Sequence, residues 1–199
     1  MRHDSARMVW TRSTTSADAV RFFLLSRKPD TEYTFDIDLA VAKNNENPVY
    51  YVQYAHARCR SVLRSAAESL GADATAPAAL AAIPLDSLGA EAEMALIRRL
   101  AAWPRTVEGA ALAYEPHRIA FYLYDLAGDF HMLWNRGRDD ATLRFLQADR
   151  PAETLARLAL VAATAAVRAA AVAGAFMADP LLRAASVAKP GRGGQSLGG

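Results

Sequence analysis

Apolar residues recur every three or four positions along most of this 199-residue chain, and the alternation typical of β-strands is nearly absent. That spacing gathers apolar side chains on one side of an α-helix. Alanine, the residue with the strongest helix propensity, is abundant throughout. The pattern therefore predicts an all-α protein, a helical bundle of about six to seven helices around one hydrophobic core.

Prolines and polar capping residues mark where the predicted helices begin and end. Ser16, Asn47 and Asp149 are predicted N-caps, and Pro48 and Pro151 suit first helical positions, where a missing N–H costs nothing. The predicted helices cover residues 17–27, 36–44, 48–70, 91–103, 106–114, 116–134 and 151–176. Two segments are expected to be surface connections, Gly71–Asp86 and residues 135–149.

Charge and cysteine content restrict the partners and the compartment. Lysine and arginine total 23 against 21 acidic residues, so any binding of nucleic acid needs a local basic patch. Cys59 is the single cysteine, which fits a reducing cytoplasm. The longest apolar run, Leu158–Val167, is far shorter than the roughly 20 residues that span a bilayer, and no apolar signal region follows Arg2. We therefore expect a cytoplasmic protein without membrane contact.

Two of the predicted helices carry apolar stripes that predict which sides face the core. In helix 48–70 the stripe consists of Val52, Cys59, Leu63, Ala66 and Leu70. In helix 91–103 it consists of Met94, Ile97, Leu100 and Ala101, with Arg98 and Arg99 turned outward. The other sides of both helices are expected to face solvent or a partner.

Tyr51, Tyr54 and Arg58 lie together on a second stripe of helix 48–70, rotated away from its core side. Two phenol rings and a guanidinium on a partly exposed face form a surface on which unpaired bases can stack. The arginine can pair with a phosphate or with the edge of a base. The alternative is that the two tyrosines pack against a neighbouring helix and use their hydroxyls at its rim.

Three segments resemble arginyl-tRNA synthetases. Residues Asn47 to Arg58, Asn-Pro-Val-Tyr-Tyr-Val-Gln-Tyr-Ala-His-Ala-Arg, resemble a signature segment of that family. Residues Asp18 to Leu24 resemble its "DALR" segment, and residues Glu115 to His131 resemble the helix that faces the signature segment. The resemblance covers about Ala17 to Arg168 and implies the anticodon-binding domain of a class I synthetase, over residues 16–178.

In that family the domain holds the anticodon stem and loop of an arginine-accepting tRNA, and aromatic residues contact the loop bases. The resemblance therefore implies that Tyr51 and Tyr54 contact tRNA, with Arg58, His131 and Trp134 as further tRNA-binding candidates. It implies a role in arginyl-tRNA aminoacylation, with tRNA as the partner and no binding of DNA.

Some of the family's features are missing from this sequence. The His-Ile-Gly-His-type and Lys-Met-Ser-Lys-type catalytic motifs do not occur, and residues 1–15 match nothing in the family. Ala165 and Ala166 replace an expected Arg-Gln pair, and a glycine-rich tail, residues 179–199, is expected to be disordered. We therefore expect no aminoacylation by this chain alone: ATP and arginine belong to the full-length family, and a separate catalytic chain is a candidate partner. The alternative is a catalytically inactive fragment or helical interaction module that has lost tRNA binding.

No catalytic residue, metal site or cofactor is expected in this chain. Residues Gly194 to Gly198 match a nucleophile-elbow pattern, but no predicted strand precedes them. His56 and Cys59 lie one helical turn apart, yet no second pair of ligands follows at the spacing of a zinc site. His117 and His131, about four turns apart, are expected to have satisfied structural or surface roles.

Overall fold

The structure, a computed structural model, describes residues 19–28 and 30–175, and this part of the chain is helical without a strand, as the sequence predicts. Eight helices are described: α1 (residues 19–25), α2 (Ile37–Val41), α3 (Pro48–Leu70), α4 (Pro77–Ala81), α5 (Glu91–Ala101), α6 (Trp103–Leu112), α7 (His117–Asp139) and α8 (Pro151–Ala175). A short 3-10 turn, Ala141–Leu143, follows α7. The predicted cap Ser16, residues 1–15 and the tail lie outside the described residues.

Asn47 fixes the start of α3, as predicted. Its side-chain oxygen accepts hydrogen bonds from the backbone N–H groups of Val49, at 3.0 Å, and Tyr50, at 3.3 Å. Its side-chain amide donates to the carbonyls of Ala40, at 3.1 Å, and Ala42, at 2.8 Å. One buried side chain therefore caps α3 and ties it to the end of α2, which sets the direction in which the tyrosines of α3 project.

The apolar stripe of α3 is confirmed at Val52, Cys59 and Ala66, which are buried. Leu63 is only partly buried, and the placement of Leu70 in the core was wrong, because its side chain is exposed in the last turn. The predicted surface connection Gly71–Asp86 was also wrong. It contains α4, whose Leu80 is buried, and α4 packs on α8.

Helix α7 is longer than predicted, because residues 135–139 belong to it and not to a loop. Gly137 lies in its last turn, where the chain folds back across the helix through the 3-10 turn. A Cβ added at Gly137 would lie 2.9 Å from the carbonyl oxygen of Leu143. This glycine therefore permits a close approach of two backbone segments, although the sequence alone suggested a loop.

Helix α8 is the centre of the bundle and packs against α3, α4, α5 and α7. It begins at Pro151, as predicted, but the carbonyl of Arg150 accepts the first bond of the helix, from the Thr154 N–H, so Asp149 lies one residue before the cap position. Residues Pro151–Ala171 are long and apolar enough to cross a membrane by length and composition. The central helix of a globular bundle meets the same criterion.

The predicted stripe of α5 is confirmed only in part: Ile97 and Leu100 are partly buried against the core, whereas Ala101 is exposed. The fully buried residues of α5 are Ala92, Glu93 and Leu96. Glu93 is 1% exposed, and its carboxylate accepts a hydrogen bond from Arg157 Nε at 2.6 Å. The other carboxylate oxygen accepts from the backbone N–H groups of Gly89 and Ala90. A buried ion pair therefore joins α5 to α8 and also caps the start of α5.

Arg168 on α8 is a second buried guanidinium, and within the described part of the chain no carboxylate pairs with it. Its side chain is 2% exposed, and its Nε and Nη1 atoms find no hydrogen-bond partner among the described residues. Burial lowers the pKa of Arg168 to about 10. It influences the pKa of Cys59, His56 and His131, so it lies where α3 and α7 meet α8.

Replacing Arg168 with methionine is expected to raise the free energy of unfolding by about 1–4 kcal/mol, because methionine fills similar space without a charge that must be desolvated. Urea denaturation of the wild type and the variant measures the change. A lower unfolding midpoint in the variant would show that the guanidinium has a partner in solution.

Candidate nucleic-acid interface

The structure brings all five predicted site residues together where α3 meets α7. Tyr51, Tyr54 and Arg58 project from α3 and meet His131 and Trp134 of α7. The residues lie one helical turn apart on each helix, so each helix contributes a continuous row of side chains. Two further tyrosines, Tyr50 of α3 and Tyr124 of α7, continue these rows. We call the seven residues the aromatic platform.

Arg58 joins the two helices within the platform. Its guanidinium carbon lies 4.2 Å from the ring centroid of Tyr54 and 4.7 Å from that of Trp134, which are cation–π distances. Its Nη2 donates to the Tyr54 hydroxyl at 2.7 Å, and its Nη1 lies 3.2 Å from His131 Nδ1. The guanidinium is therefore held on two sides by rings and at two nitrogens by hydrogen bonds.

Tyr51 lies across α7 between two of that helix's side chains. Its ring centroid is 5.1 Å from that of Tyr124 and 4.7 Å from that of His131. A Cβ added at Gly128 would lie 3.8 Å from the Tyr51 hydroxyl oxygen, an ordinary van der Waals contact, so the end of the phenol lies directly against this part of α7. Burial, with the nearby Tyr124 and Asp129, raises the pKa of Tyr51. Tyr51 is thus a neutral, partly buried ring.

His131 is fixed as a neutral imidazole by its partners. A guanidinium only donates hydrogen bonds, so Nδ1 must accept from Arg58, and the proton is on Nε2. Burial, reinforced by Arg58, lowers the pKa of His131. Both histidines are buried, as the expected structural role requires, but their hydrogen bonding is incomplete: His131 Nε2 and His117 Nδ1 are buried without a hydrogen-bond partner among the described residues.

The platform is half open to solvent. Tyr54 is 36% exposed and Tyr124 is 43% exposed, whereas Tyr51 and Trp134 are partly buried and also pack against the core. The rings pack against the neighbouring helix, as the second interpretation of the tyrosine stripe predicts, and the row keeps an open side, so stacking of bases on it stays a prediction. Such a surface offers ring faces and a fixed cation to a ligand.

Two acidic residues beside the platform pair with one arginine from α5, which offsets one of their two negative charges. Arg99 contacts Asp129 at 2.8 Å and Asp125 at 3.1 Å. Both aspartates lie on α7: Asp125 follows Tyr124 directly, and Asp129 precedes His131 by two residues. Without this pairing, two carboxylates would repel an anionic ligand at the platform's edge.

Sequence analysis missed Tyr50 and Tyr124. Tyr50 stacks on Tyr54 with ring centroids 5.8 Å apart and planes 16° apart. Its position four residues before Tyr54 was a usable signal, since residues i and i+4 are neighbours on a helix. Tyr124 precedes His131 by seven residues, two turns of α7, and the same rule places it on that row.

The described residues do not suggest a reactive centre. They contain no group of three or more His, Cys, Asp or Glu side chains placed to hold a metal ion. Burial raises the pKa of the Cys59 thiol to about 12, so the thiol stays protonated at neutral pH. What the platform can do is bind, through stacking and hydrogen bonds.

The lowered pKa of His131 predicts a pH-dependent stability. In the unfolded chain the imidazole takes up a proton near its ordinary pKa of about 6.5, whereas the folded chain resists this, so the unfolded state binds more protons below that pH. The free energy of unfolding should therefore fall as the pH is lowered from about 7.5 to about 6. His56, whose pKa burial also lowers, contributes in the same direction.

Urea denaturation at several pH values over this range measures the free energy of unfolding. The variant His131→Gln, whose side chain cannot be protonated there, should lose less stability than the wild type. An equal loss of stability in both chains would mean that His131 does not cause the pH dependence.

Comparison with known proteins gives one consistent relationship. Residues 52–173 match the family profile described as the DALR anticodon binding domain. Among curated relatives, the arginine–tRNA ligases of Gluconobacter oxydans and Ruegeria pomeroyi are 60% and 56% identical over 74% and 76% of this chain. The chain spans about a quarter of the length of these relatives, 25% and 26%.

A solved structure agrees with the sequence comparison. A Campylobacter jejuni protein described as an arginyl-tRNA synthetase superimposes with a TM-score of 0.60 and 26% identity, over 77% of this chain and 31% of that chain. The family profile begins within α3 and ends within α8, so it includes α7 and most of α3, whereas Tyr50 and Tyr51 lie just before its first matched residue.

Proposed function

This chain belongs to the DALR anticodon binding domain family, and on that premise we propose that it binds the anticodon stem-loop of an arginine-accepting tRNA. The observation that carries the proposal is the aromatic platform, because its half-open rings surround a guanidinium that is already fixed in position. Anticodon bases are unpaired and have free π faces, which is the chemistry that such a surface selects.

Arg58 is suited to a polyanionic ligand. The rings and His131 hold its guanidinium before any ligand arrives, so little side-chain entropy is lost when it pairs with a phosphate. The residues that we propose take part in tRNA binding, by contact or by support, are Tyr51, Tyr54, Arg58, His131 and Trp134. His131 is buried and acts on Arg58 and Tyr51, not directly on the nucleic acid.

We further propose that the chain serves as the anticodon-binding part of an arginine–tRNA ligase that acts in the cytoplasm. Relatives four times as long carry that name, and the ATP and arginine used in aminoacylation would be bound by the remaining three quarters of such a protein or by a separate catalytic chain. In this proposal the chain itself needs no cofactor.

A filter-binding titration of the chain with arginine-accepting tRNA tests the proposal. Binding should weaken as salt rises, because phosphate contacts release counterions, and bulk tRNA lacking the arginine acceptors should compete poorly. Equal competition by bulk tRNA would favour an interaction module that keeps the fold without the specificity.

A further inference from the structure

The two buried guanidinium groups of α8 differ in what surrounds them. Arg157 donates to the carboxylate of Glu93 at 2.6 Å and to the carbonyl of Arg144 at 3.0 Å. Arg168 is equally buried, but its Nε and Nη1 atoms have no hydrogen-bond partner among the described residues. Buried polar groups of native proteins are almost always hydrogen-bonded, and an exception indicates a partner such as a water molecule or an ion.

The surroundings of Arg168 supply no negative charge. Its guanidinium lies where α3 and α7 meet α8, and its charge lowers the pKa of His56 and of His131. Burial is the largest cause of the lowered pKa of Arg168, and the one titratable group that acts against it within the described part of the chain is Cys59. That thiol stays protonated at neutral pH. The positive charge of Arg168 is therefore not balanced by any described side chain.

His131 contributes a second donor to the same junction of helices. Its Nδ1 accepts from Arg58, so its proton is on Nε2. This Nε2 atom is buried and, like the two nitrogens of Arg168, has no hydrogen-bond partner among the described residues. The junction of α3, α7 and α8 thus contains three buried donor nitrogens that need an acceptor.

A small anion suits these donors better than a water molecule does. A water molecule brings two hydrogens of its own, and they would need acceptors in a place where donors are in excess. A chloride ion accepts from several N–H groups at once, donates none, and balances the charge of the guanidinium. Because an uncompensated buried charge is strongly unfavourable, the balance of charge favours the ion as well.

We infer that Arg168 binds a buried chloride ion where α3, α7 and α8 meet, with His131 Nε2 as a second donor. The ion is a structural ligand that joins the three helices, so the inference goes beyond the proposed function and does not depend on tRNA. Since such an ion binds only the folded chain, the ratio of folded to unfolded chain should rise about tenfold for each tenfold increase in chloride above the dissociation constant.

Urea denaturation of the full chain at constant ionic strength, with sodium chloride replacing sodium gluconate stepwise, tests the inference. Gluconate is too large to enter a helical core and leaves the other ionic effects comparable. The wild type should become more stable as chloride rises, whereas Arg168→Met should not. The advantage expected for Arg168→Met should therefore be largest without chloride and shrink as chloride is added.

Arg64→Met is the matched control, because Arg64 is an exposed arginine of α3 outside the junction. This variant should keep the chloride dependence of the wild type. The same dependence on chloride in the wild type and in Arg168→Met would overturn the inference.

Nuclear magnetic resonance of the wild type gives a test that needs no variant. The N–H signals of Arg168 Nε and His131 Nε2 should shift together as chloride is added, and both should saturate at the same concentration. Signals that stay in place would overturn the inference and show that water satisfies these donors.

Discussion

Replacing Glu93 with alanine is expected to lower the free energy of unfolding by about 3–5 kcal/mol, because it leaves the guanidinium of Arg157 buried without its counterion. The Glu93 carboxylate is 1% exposed and binds Arg157 Nε at 2.6 Å. The same carboxylate accepts from two backbone N–H groups at the start of α5, which the variant also leaves unpaired. Urea denaturation, monitored by far-ultraviolet circular dichroism, measures the loss.

Glu91→Ala on the same helix is the matched control. Glu91 pairs with Arg98 at the surface, where both side chains are largely exposed, so its loss should cost no more than about 1 kcal/mol. Replacing Glu93 and Arg157 together by methionine should recover much of the stability lost by Glu93→Ala, because no charge then remains buried. Equal small effects of Glu93→Ala and Glu91→Ala would show that the buried pair is not a major contribution.

Replacing both Tyr51 and Tyr54 with alanine should weaken binding of the arginine-accepting tRNA by about 2–6 kcal/mol. Tyr54 is an exposed ring of the platform, and Tyr51 lies between Tyr124 and His131. Each of the two rings that is lost is expected to forfeit one stacked base, at about 1–3 kcal/mol per base. Filter-binding titrations at constant salt measure the change, at a temperature where both chains are folded.

The double variant Tyr51→Phe, Tyr54→Phe is the control for this experiment. It keeps both rings and removes only their hydroxyls, including the acceptor for Arg58 Nη2. Its affinity should stay much closer to the wild type than that of the alanine variant. Unchanged affinity of the alanine variant would refute a binding role for the platform.

Local chemistry was sufficient to predict much of the fold. The cap at Asn47 and the proline that follows it act within three residues of each other, so the start of α3 could be predicted from the sequence. The end of α3 at Leu70 could be predicted from Gly71, the residue that follows it. Using a glycine to mark the end of a helix failed at Gly137. This glycine lies within α7, and its missing Cβ makes room for the backbone of Leu143.

Features that depend on distant partners could not be predicted. Glu93 has the polarity of a surface residue, and only Arg157, 64 residues later, makes its burial favourable. The five site residues were predicted because they share helical rows or family resemblance. The contacts between the rings of the two helices depend on how closely α3 and α7 approach, and that distance is not encoded in the spacing of either helix.

The most direct measurement of the central claim is the affinity of the chain for two isolated stem-loops, one with the anticodon loop of the arginine-accepting tRNA and one with an unrelated loop on the same stem. Phosphates and stem are then matched, so only recognition of the loop bases differs. We predict clearly tighter binding of the arginine loop by the wild-type chain, and loss of that preference in the Tyr51→Ala, Tyr54→Ala variant. Equal affinity of the wild type for the two loops would contradict the claim that this platform reads anticodon bases.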